Sequence, residues 1–131
     1  MELNEKNNDG FYPLLIAIQN NNIETVKLLI EYANQYHIIL KLNEKDKYGD
    51  YPLYWANIRD NIEIVQLLID YANKHHIILE LNEKSNWKKC PLEWAIFNKN
   101  IEMIKLLLEY AKQHQIILEY EKEYIEDKPE N

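Results

Sequence analysis

The chain has 131 residues, a length typical of one domain, and a formal net charge of −7, which disfavours a nucleic-acid-binding protein with a basic surface. No apolar run approaches the ~18 residues that indicate a membrane-spanning helix, and the first residues do not resemble a signal peptide. The single cysteine, Cys90, cannot form an internal disulfide, so we expect a cytoplasmic protein.

The sequence repeats itself with a period of 39 residues and no insertion between copies. The three copies span residues 3–41, 42–80 and 81–119. Self-similarity at a fixed period of this size is typical of stacked repeat proteins, in which each module buries its apolar surface against its neighbours. We therefore expect residues 1–119 to form one array and the acidic residues 120–131 to form a C-terminal cap or tail.

Each copy begins with Leu-Asn-Glu-Lys and continues into a polar, turn-prone stretch. Gly10 and Gly49 occupy the same place in the first two copies and predict a tight turn with the glycine at positive φ. The third copy has Lys88 at this place, so we expect its turn to be bent or strained.

Two helical segments follow the turn in each copy. The first is short and begins at a proline, a residue well tolerated at the first position of a helix. The second is long and follows an asparagine that is suited to capping its N-terminus. The predicted short helices cover residues 13–20, 52–59 and 91–98, and the predicted long helices cover residues 23–36, 62–75 and 101–114.

An Ile-Ile-Leu segment follows each long helix, at residues 38–40, 77–79 and 116–118. This segment could continue the helix or turn outward as extended chain. The polar residues on both sides of the β-branched pair favour the extended form.

The order of these motifs resembles the ankyrin repeat: a turn with Gly, then Pro-Leu-x-x-Ala, a short helix, a polar break and Ile-Glu-x-Val-x-Leu-Leu. The second copy matches best, in residues 49–56 and 61–68. The resemblance covers essentially the whole chain and implies an all-α, ankyrin-like solenoid of three helix-turn-helix units joined by β-turn fingers. The alternative fold is an all-helical solenoid of the HEAT kind, whose periods overlap this one. The Pro-Leu pair after a Gly turn argues against it.

The sequence departs from the ankyrin pattern in two further places. The usual period is about 33 residues, and the extra residues here follow the Tyr-Ala pair of each long helix without a helix-ending Gly. We therefore expect each long helix to be longer by about one and a half turns. The usual Thr before the proline is replaced by Tyr12, Tyr51 or Cys90, so we expect the cap hydrogen bond of the short helix to be missing.

The resemblance implies a protein-binding module, not an enzyme, with its partner along the concave face made by finger tips and inner helices. The copies differ most on this face, and aromatic residues and Arg are common anchors at binding surfaces. The alternative for any one residue is sequence drift at a position exposed to solvent. The candidate partner-binding residues are Tyr48, Asp50, Tyr51, Tyr54, Ile58, Arg59, Trp87, Lys89, Glu93 and Phe97. Four of them are large apolar groups that we expect to be exposed: Tyr48, Tyr54, Trp87 and Phe97.

The chain carries no catalytic constellation and predicts no cofactor. Cys90 lacks the base and the orienting group that a thiol nucleophile needs. The four histidines lack metal-binding spacing and lie near the ends of the long helices, where the helix dipole favours a cation. Trp55 and Trp94 share a column with an isoleucine, and we expect them in the core between copies.

A second functional hypothesis is a structural scaffold, either a segment of a longer array or a self-associating unit. Both terminal copies keep apolar residues in columns that normally meet another repeat. These residues are Ile16, Ile18 and Leu28 at one end and Ile104 and Leu108 at the other. Neither end carries an obvious polar capping version of the repeat, so self-association through the terminal repeats is an expectation of this hypothesis.

Overall fold

The computed structural model describes residues 2–119, and these form six helices and no strand. The predicted C-terminal cap or tail at residues 120–131 lies outside the described residues. The helices are α1 (Pro13–Gln19), α2 (Ile23–Gln35), α3 (Pro52–Ile58), α4 (Ile62–His75), α5 (Pro91–Phe97) and α6 (Ile101–Gln113). Each copy contributes one short inner helix and one long outer helix, so the all-α repeat fold predicted from the sequence is confirmed.

The helices pack in two parallel rows. The inner helices α1, α3 and α5 contact one another in chain order, the outer helices α2, α4 and α6 do the same, and each inner helix packs on its own outer helix. One continuous core fills the space between the rows, with residues such as Leu53, Leu68 and Leu107 almost fully buried. None of these helices combines the length and the apolar composition that crossing a membrane requires.

Both ends of each inner helix follow from local sequence. The proline stands at the first helical position, as predicted. The chain leaves the helix at Asn21, Asp60 and Lys99, each with φ near 56° in the left-handed region. In the first copy the N–H of Asn22 then donates to the carbonyl of Ala17 at 2.9 Å, which closes the helix as a Schellman motif does.

The asparagine after this turn caps the outer helix, as the sequence predicts. The side-chain oxygen of Asn61 accepts a hydrogen bond from the N–H of Ile64 at 3.0 Å. Asn22 and Asn100 make the same bond in the other two copies. The cap therefore sets the start of every outer helix.

The outer helices end within one residue of the predicted bounds, at Gln35, His75 and Gln113. They continue two or three residues beyond the Tyr-Ala pair, which is less than the expected extension of about one and a half turns. The chain leaves the helix at His37, His76 or Gln115, with φ between 58° and 59°. The N–H of Ile38 donates to the carbonyl of Ala33 at 2.8 Å, a closure that usually requires Gly. Asn, Asp and His tolerate this conformation better than most residues.

The Ile-Ile-Leu segments lie outside the helices, which agrees with the favoured extended form. An asparagine side chain fixes each segment at two points. The Nδ2 of Asn4 donates to the carbonyl of Ile39 at 2.9 Å, and its Oδ1 accepts from the N–H of Lys41 at 2.9 Å. The same pair of bonds recurs from Asn43 to Ile78 and Glu80, and from Asn82 to Ile117 and Glu119.

The finger turns are alike in all three copies. Gly10 and Gly49 have φ of 85° and 80°, as predicted. Lys88 adopts the same left-handed conformation, with φ of 65°. Its N–H donates to the carbonyl of Ser85 at 2.9 Å, just as the N–H of Gly49 donates to Asp46 at 3.0 Å. The third turn is therefore not bent, and any strain lies in the backbone of Lys88 itself.

Candidate functional site

The ten candidate partner-binding residues divide by burial. Tyr48, Arg59, Trp87 and Phe97 are exposed, and Ile58 and Lys89 are half-buried. Asp50, Tyr51, Tyr54 and Glu93 are buried. The expectation that Tyr54 is exposed was wrong, and none of these four buried side chains can contact a partner in this conformation.

Tyr51 is buried because it joins its own copy to the next one. Its hydroxyl donates to the carbonyl of Glu83 at 2.6 Å, and the hydroxyl of Tyr12 donates to the carbonyl of Glu44 at 2.8 Å. Burial raises the pKa of both phenols. Neither side chain caps its inner helix, so the predicted loss of that cap is confirmed in the first two copies.

Glu93 is buried in the third copy because it serves the start of α5. Its carboxylate accepts a hydrogen bond from the N–H of Cys90 at 3.0 Å, which supplies a cap that the other two copies lack. The thiol of Cys90 donates to the carbonyl of Glu119 at 3.3 Å. Burial is the main cause that raises the pKa of this thiol to about 11, so its thiolate is a minor species near neutral pH.

Tyr54 is buried at the boundary between the second and third copies. Its hydroxyl accepts a hydrogen bond from the Ser85 hydroxyl at 2.7 Å, and its ring meets the ring of Trp94 edge-on with centroids 6.4 Å apart. Burial raises the pKa of Tyr54, and the bond to Ser85 partly opposes that shift. Trp94 and Trp55 pack against the core but are only half-buried, so the expectation that they lie in the core between copies is met in part.

Asp50 belongs to a buried pair of carboxylates that sequence reasoning missed. Oδ1 of Asp46 accepts hydrogen bonds from the N–H of Tyr48 at 2.8 Å and of Asp50 at 3.0 Å. Within residues 2–119, Oδ2 of Asp46 and Oδ1 of Asp50 are buried without a hydrogen-bond partner. Burial first, and the charge of Asp46 second, raise the pKa of Asp50 to about 6. Each finger turn begins with a short polar residue, and this pattern could have indicated that the Asp46 side chain accepts hydrogen bonds from the turn. No local pattern indicates that Asp50 is buried.

The exposed aromatic residues Tyr48 and Trp87 lie on neighbouring finger tips. The N–H of Asn86, next to Trp87, donates to the carbonyl of Tyr48 at 3.0 Å. Trp87 keeps 70% of its surface exposed. The ammonium of Lys47 lies 5.1 Å from the centre of the Tyr48 ring and pairs with Asp9 at 2.8 Å. The two tips therefore present a pair of aromatic side chains, with the ion pair of Lys47 and Asp9 beside the Tyr48 ring.

Arg59 lies at the end of the inner helix α3 and reaches the first copy. Its Nε donates to the carbonyl of Gln19 at 2.7 Å, and its guanidinium lies 5.6 Å from the centre of the Trp55 ring. These two contacts fix the direction of an otherwise exposed, charged group.

Residues 2–119 contain no cluster of three or more His, Cys, Asp or Glu side chains arranged to hold a metal ion. Two of the histidines instead stack on tyrosines of their own helix. The ring centroids of His75 and Tyr71 are 4.2 Å apart, and those of His114 and Tyr110 are 4.3 Å apart. This arrangement suits packing at the end of the outer helices.

Comparison with protein families gives a match to the model described as ankyrin repeats (3 copies), over residues 1–77 and 35–117. Comparison with curated proteins gives no match. Ankyrin repeats are generally protein–protein interaction modules and are typically not catalytic. Because the match spans nearly the whole described chain and agrees with its paired helices and glycine turns, the chain belongs to the ankyrin repeat family.

Proposed function

We propose that this chain binds a protein partner through its finger tips and inner helices, with Tyr48 and Trp87 as the anchor residues. The observation that carries this proposal is the pair of exposed aromatic side chains on adjoining finger tips. Further contacts come from other candidates with accessible surface: Ile58, Arg59, Lys89 and Phe97. We call Tyr48, Trp87 and Arg59 the finger surface.

The fold gains little free energy from burying the side chains at the finger tips. Trp87 leaves most of its apolar surface in water, so the fold buries little of it. A partner that covered this ring would gain the free energy of burying the largest apolar side chain available. Trp, Tyr and Arg are enriched among residues that dominate binding energy, and all three occur on the finger surface.

Charge indicates the chemistry of the partner. Lys88 follows Trp87 directly and is exposed, so the third finger carries a positive charge beside its aromatic anchor in a chain with a net charge of −7. Such local charge steers association toward surfaces of the opposite sign. We therefore propose that the partner presents an apolar side chain flanked by acidic residues. A cytoplasmic setting is supported by the single, buried Cys90, since small extracellular domains commonly depend on disulfides.

The test compares capture of proteins from a source-cell lysate by wild type and by the double variant Tyr48→Ala/Trp87→Ala. We expect the double variant to lose specific capture while its melting temperature stays within about 2 °C of wild type. Tyr54 is not included, because replacing a buried side chain would confuse loss of binding with loss of folding.

The matched control is Ile78→Ala, which removes an exposed apolar side chain from the extended segment after α4 and leaves both finger-tip aromatic residues in place. We expect this control to capture the same proteins as wild type. Capture retained by the double variant, or lost equally in the control, would contradict the proposal.

A further inference from the structure

Residues 39 positions apart occupy equivalent places in the three copies, and we call each such set a column. Each column is therefore seen in three environments, one for each copy. A residue of the second copy has a neighbouring copy on both sides, whereas the described residues of the first and third copies have one on a single side. A column that is covered in two copies and exposed in a terminal one therefore lies on the side of the stack where a further copy would pack. This comparison defines the two end faces of the stack.

The first end face consists of residues in columns that look back to a preceding copy. Leu67 lines a groove with Ile23 and Lys27 of the first copy, and it is partly buried there. Leu28, in the same column of the first copy, is 62% exposed.

The inner-helix row repeats this pattern. Trp94 packs on Tyr54 of the preceding copy, whereas Ile16 in the same column is exposed. We call Ile16, Leu28 and the exposed Tyr36 the N-terminal face. Ile18, which the sequence placed among these end residues, is fully buried, so that expectation was wrong.

The second end face consists of residues in columns that look forward to a following copy. Ile62 lines a groove with Lys105 and Leu106 of the third copy and is partly buried. Ile101, in the same column, is 60% exposed.

Two more columns behave in the same way. Ile58 is half-buried and Phe97 is 66% exposed; Ile69 is buried and Leu108 is exposed. We call Phe97, Ile101 and Leu108 the C-terminal face. Ile104, which the sequence also placed at this end, is half-buried.

We propose that a second copy of this chain stacks on these faces head to tail, with the C-terminal face of one chain on the N-terminal face of the next. Such a contact continues the interface that already joins the copies of one chain. Equivalent outer-helix positions line the groove at both internal boundaries, between the first and second copies and between the second and third. A following chain presents to Phe97 and Ile101 the same columns that the third copy presents to Ile58 and Ile62.

Charge on the outer helices is compatible with this stacking. In the internal groove, Glu63 and Gln66 of one copy oppose Lys105 and Glu109 of the next. By the 39-residue register, the C-terminal face has Lys105 at the position of Gln66. A second chain has Glu31 at the position of Glu109, so Glu31 of the second chain lies opposite Lys105. The net charge of −7 on each chain opposes association overall, so assembly is expected to strengthen as salt rises.

The contact pairs two different surfaces, so it does not close on itself as a two-fold dimer does. Successive chains add to an open linear series. Each added chain loses translational and rotational freedom that covalently joined copies do not lose, so the contact is weaker than the internal boundaries and depends on concentration. This inference rests on the end faces, which share only Phe97 with the proposed partner contacts. The Tyr48→Ala/Trp87→Ala variant that tests the proposed function leaves both end faces intact, so the two proposals can fail separately.

The test is sedimentation velocity of the full chain over increasing concentration, up to about 1 mM. We expect wild type to shift progressively from monomer to a ladder of larger species. Leu28→Lys and Phe97→Lys are each expected to abolish that shift. An equimolar mixture of the two variants is expected to form dimers and stop, because it contains one intact C-terminal face and one intact N-terminal face that can meet.

The matched control is Ile78→Lys, which changes a residue that is exposed in the second copy, as are Ile39 and Ile117 in the other two. This control should assemble like wild type, and circular dichroism melts should show all variants folded. A wild type that stays monomeric throughout, a mixture that stays monomeric, or a Phe97→Lys variant that still dimerises would each overturn the head-to-tail arrangement. The last result would mean that two N-terminal faces meet.

Discussion

The hydroxyl groups of Tyr54 and Ser85 meet at 2.7 Å across the boundary between the second and third copies. Both side chains are buried, and the Ser85 oxygen also accepts a hydrogen bond from the N–H of Trp87 at 3.0 Å. A residue on an inner helix is thereby linked to the exposed tip of the next finger. The variable residues of this chain thus include some that hold the stack together, not only some that face solvent.

We expect Tyr54→Phe to lower the free energy of unfolding by about 1–2 kcal/mol, because it leaves a buried hydroxyl of Ser85 without this partner. Denaturant titration of Tyr54→Phe, Ser85→Ala and the double variant gives the coupling between them, expected at about 0.5–1.5 kcal/mol. Tyr36→Phe is the control, because Tyr36 is exposed. A coupling of zero would show that the bond does not stabilise the boundary.

Leu68→Ala should lower the free energy of unfolding by about 2–5 kcal/mol, because Leu68 is almost fully buried between the helix rows and its loss leaves a cavity. Leu28→Ala, on the equivalent outer helix of the first copy, should cost less than about 0.5 kcal/mol in the monomer, since Leu28 is mostly exposed. Urea titration at low protein concentration measures both. A loss at Leu68 as small as that at Leu28 would contradict a stacked core.

Asp50 should make stability depend on pH below neutrality. Its pKa is about 6 in the folded chain against a usual value of 3.8, so the folded state holds the proton more tightly than the unfolded state. The stability that this proton contributes is fully present below pH 3.8 and is lost as pH rises through about 6. Asp50→Asn should therefore be more stable than wild type at pH 7, by about 1–3 kcal/mol, and should match it near pH 4.

Denaturant titrations of wild type and Asp50→Asn at several pH values between about 4 and 7 test this prediction. Asp9→Asn is the control, since Asp9 belongs to a partly exposed ion pair with Lys47. Parallel pH curves for wild type and Asp50→Asn would show that Asp50 titrates normally.

Lys88→Gly should raise the free energy of unfolding by about 0.5–1 kcal/mol. Lys88 holds φ of 65°, a conformation that the first two copies assign to glycine. Lys88→Ala removes the same side-chain charge but keeps the left-handed backbone, so it should not stabilise the chain. Thermal melts of both variants separate the backbone effect from the charge effect, and equal melting temperatures would argue against strain at this turn.

Helix starts could be predicted because their causes are local. Pro52 and Asn61 act within a few residues of themselves, through a fixed φ and a side-chain cap. Helix ends were harder, because His37 and His76 take the left-handed conformation that glycine normally signals. The ends of the outer helices were predicted to within one residue, but the expected extension of about one and a half turns was too long, because the closing residue has no strong sequence preference.

The sequence by itself determined the period, the number of copies and the all-helical repeat architecture, because these depend on short-range preferences repeated at one spacing. Only the tertiary structure decided which variable residues are accessible. Tyr54 and Tyr48 are both tyrosines at variable positions of the repeat. Tyr54 is buried against the next copy, whereas Tyr48 is exposed on a finger tip. Burial depends on contacts with residues about 30 to 40 positions away in the sequence. The exposure of a residue is therefore set by the neighbouring copy, and the local sequence does not predict it.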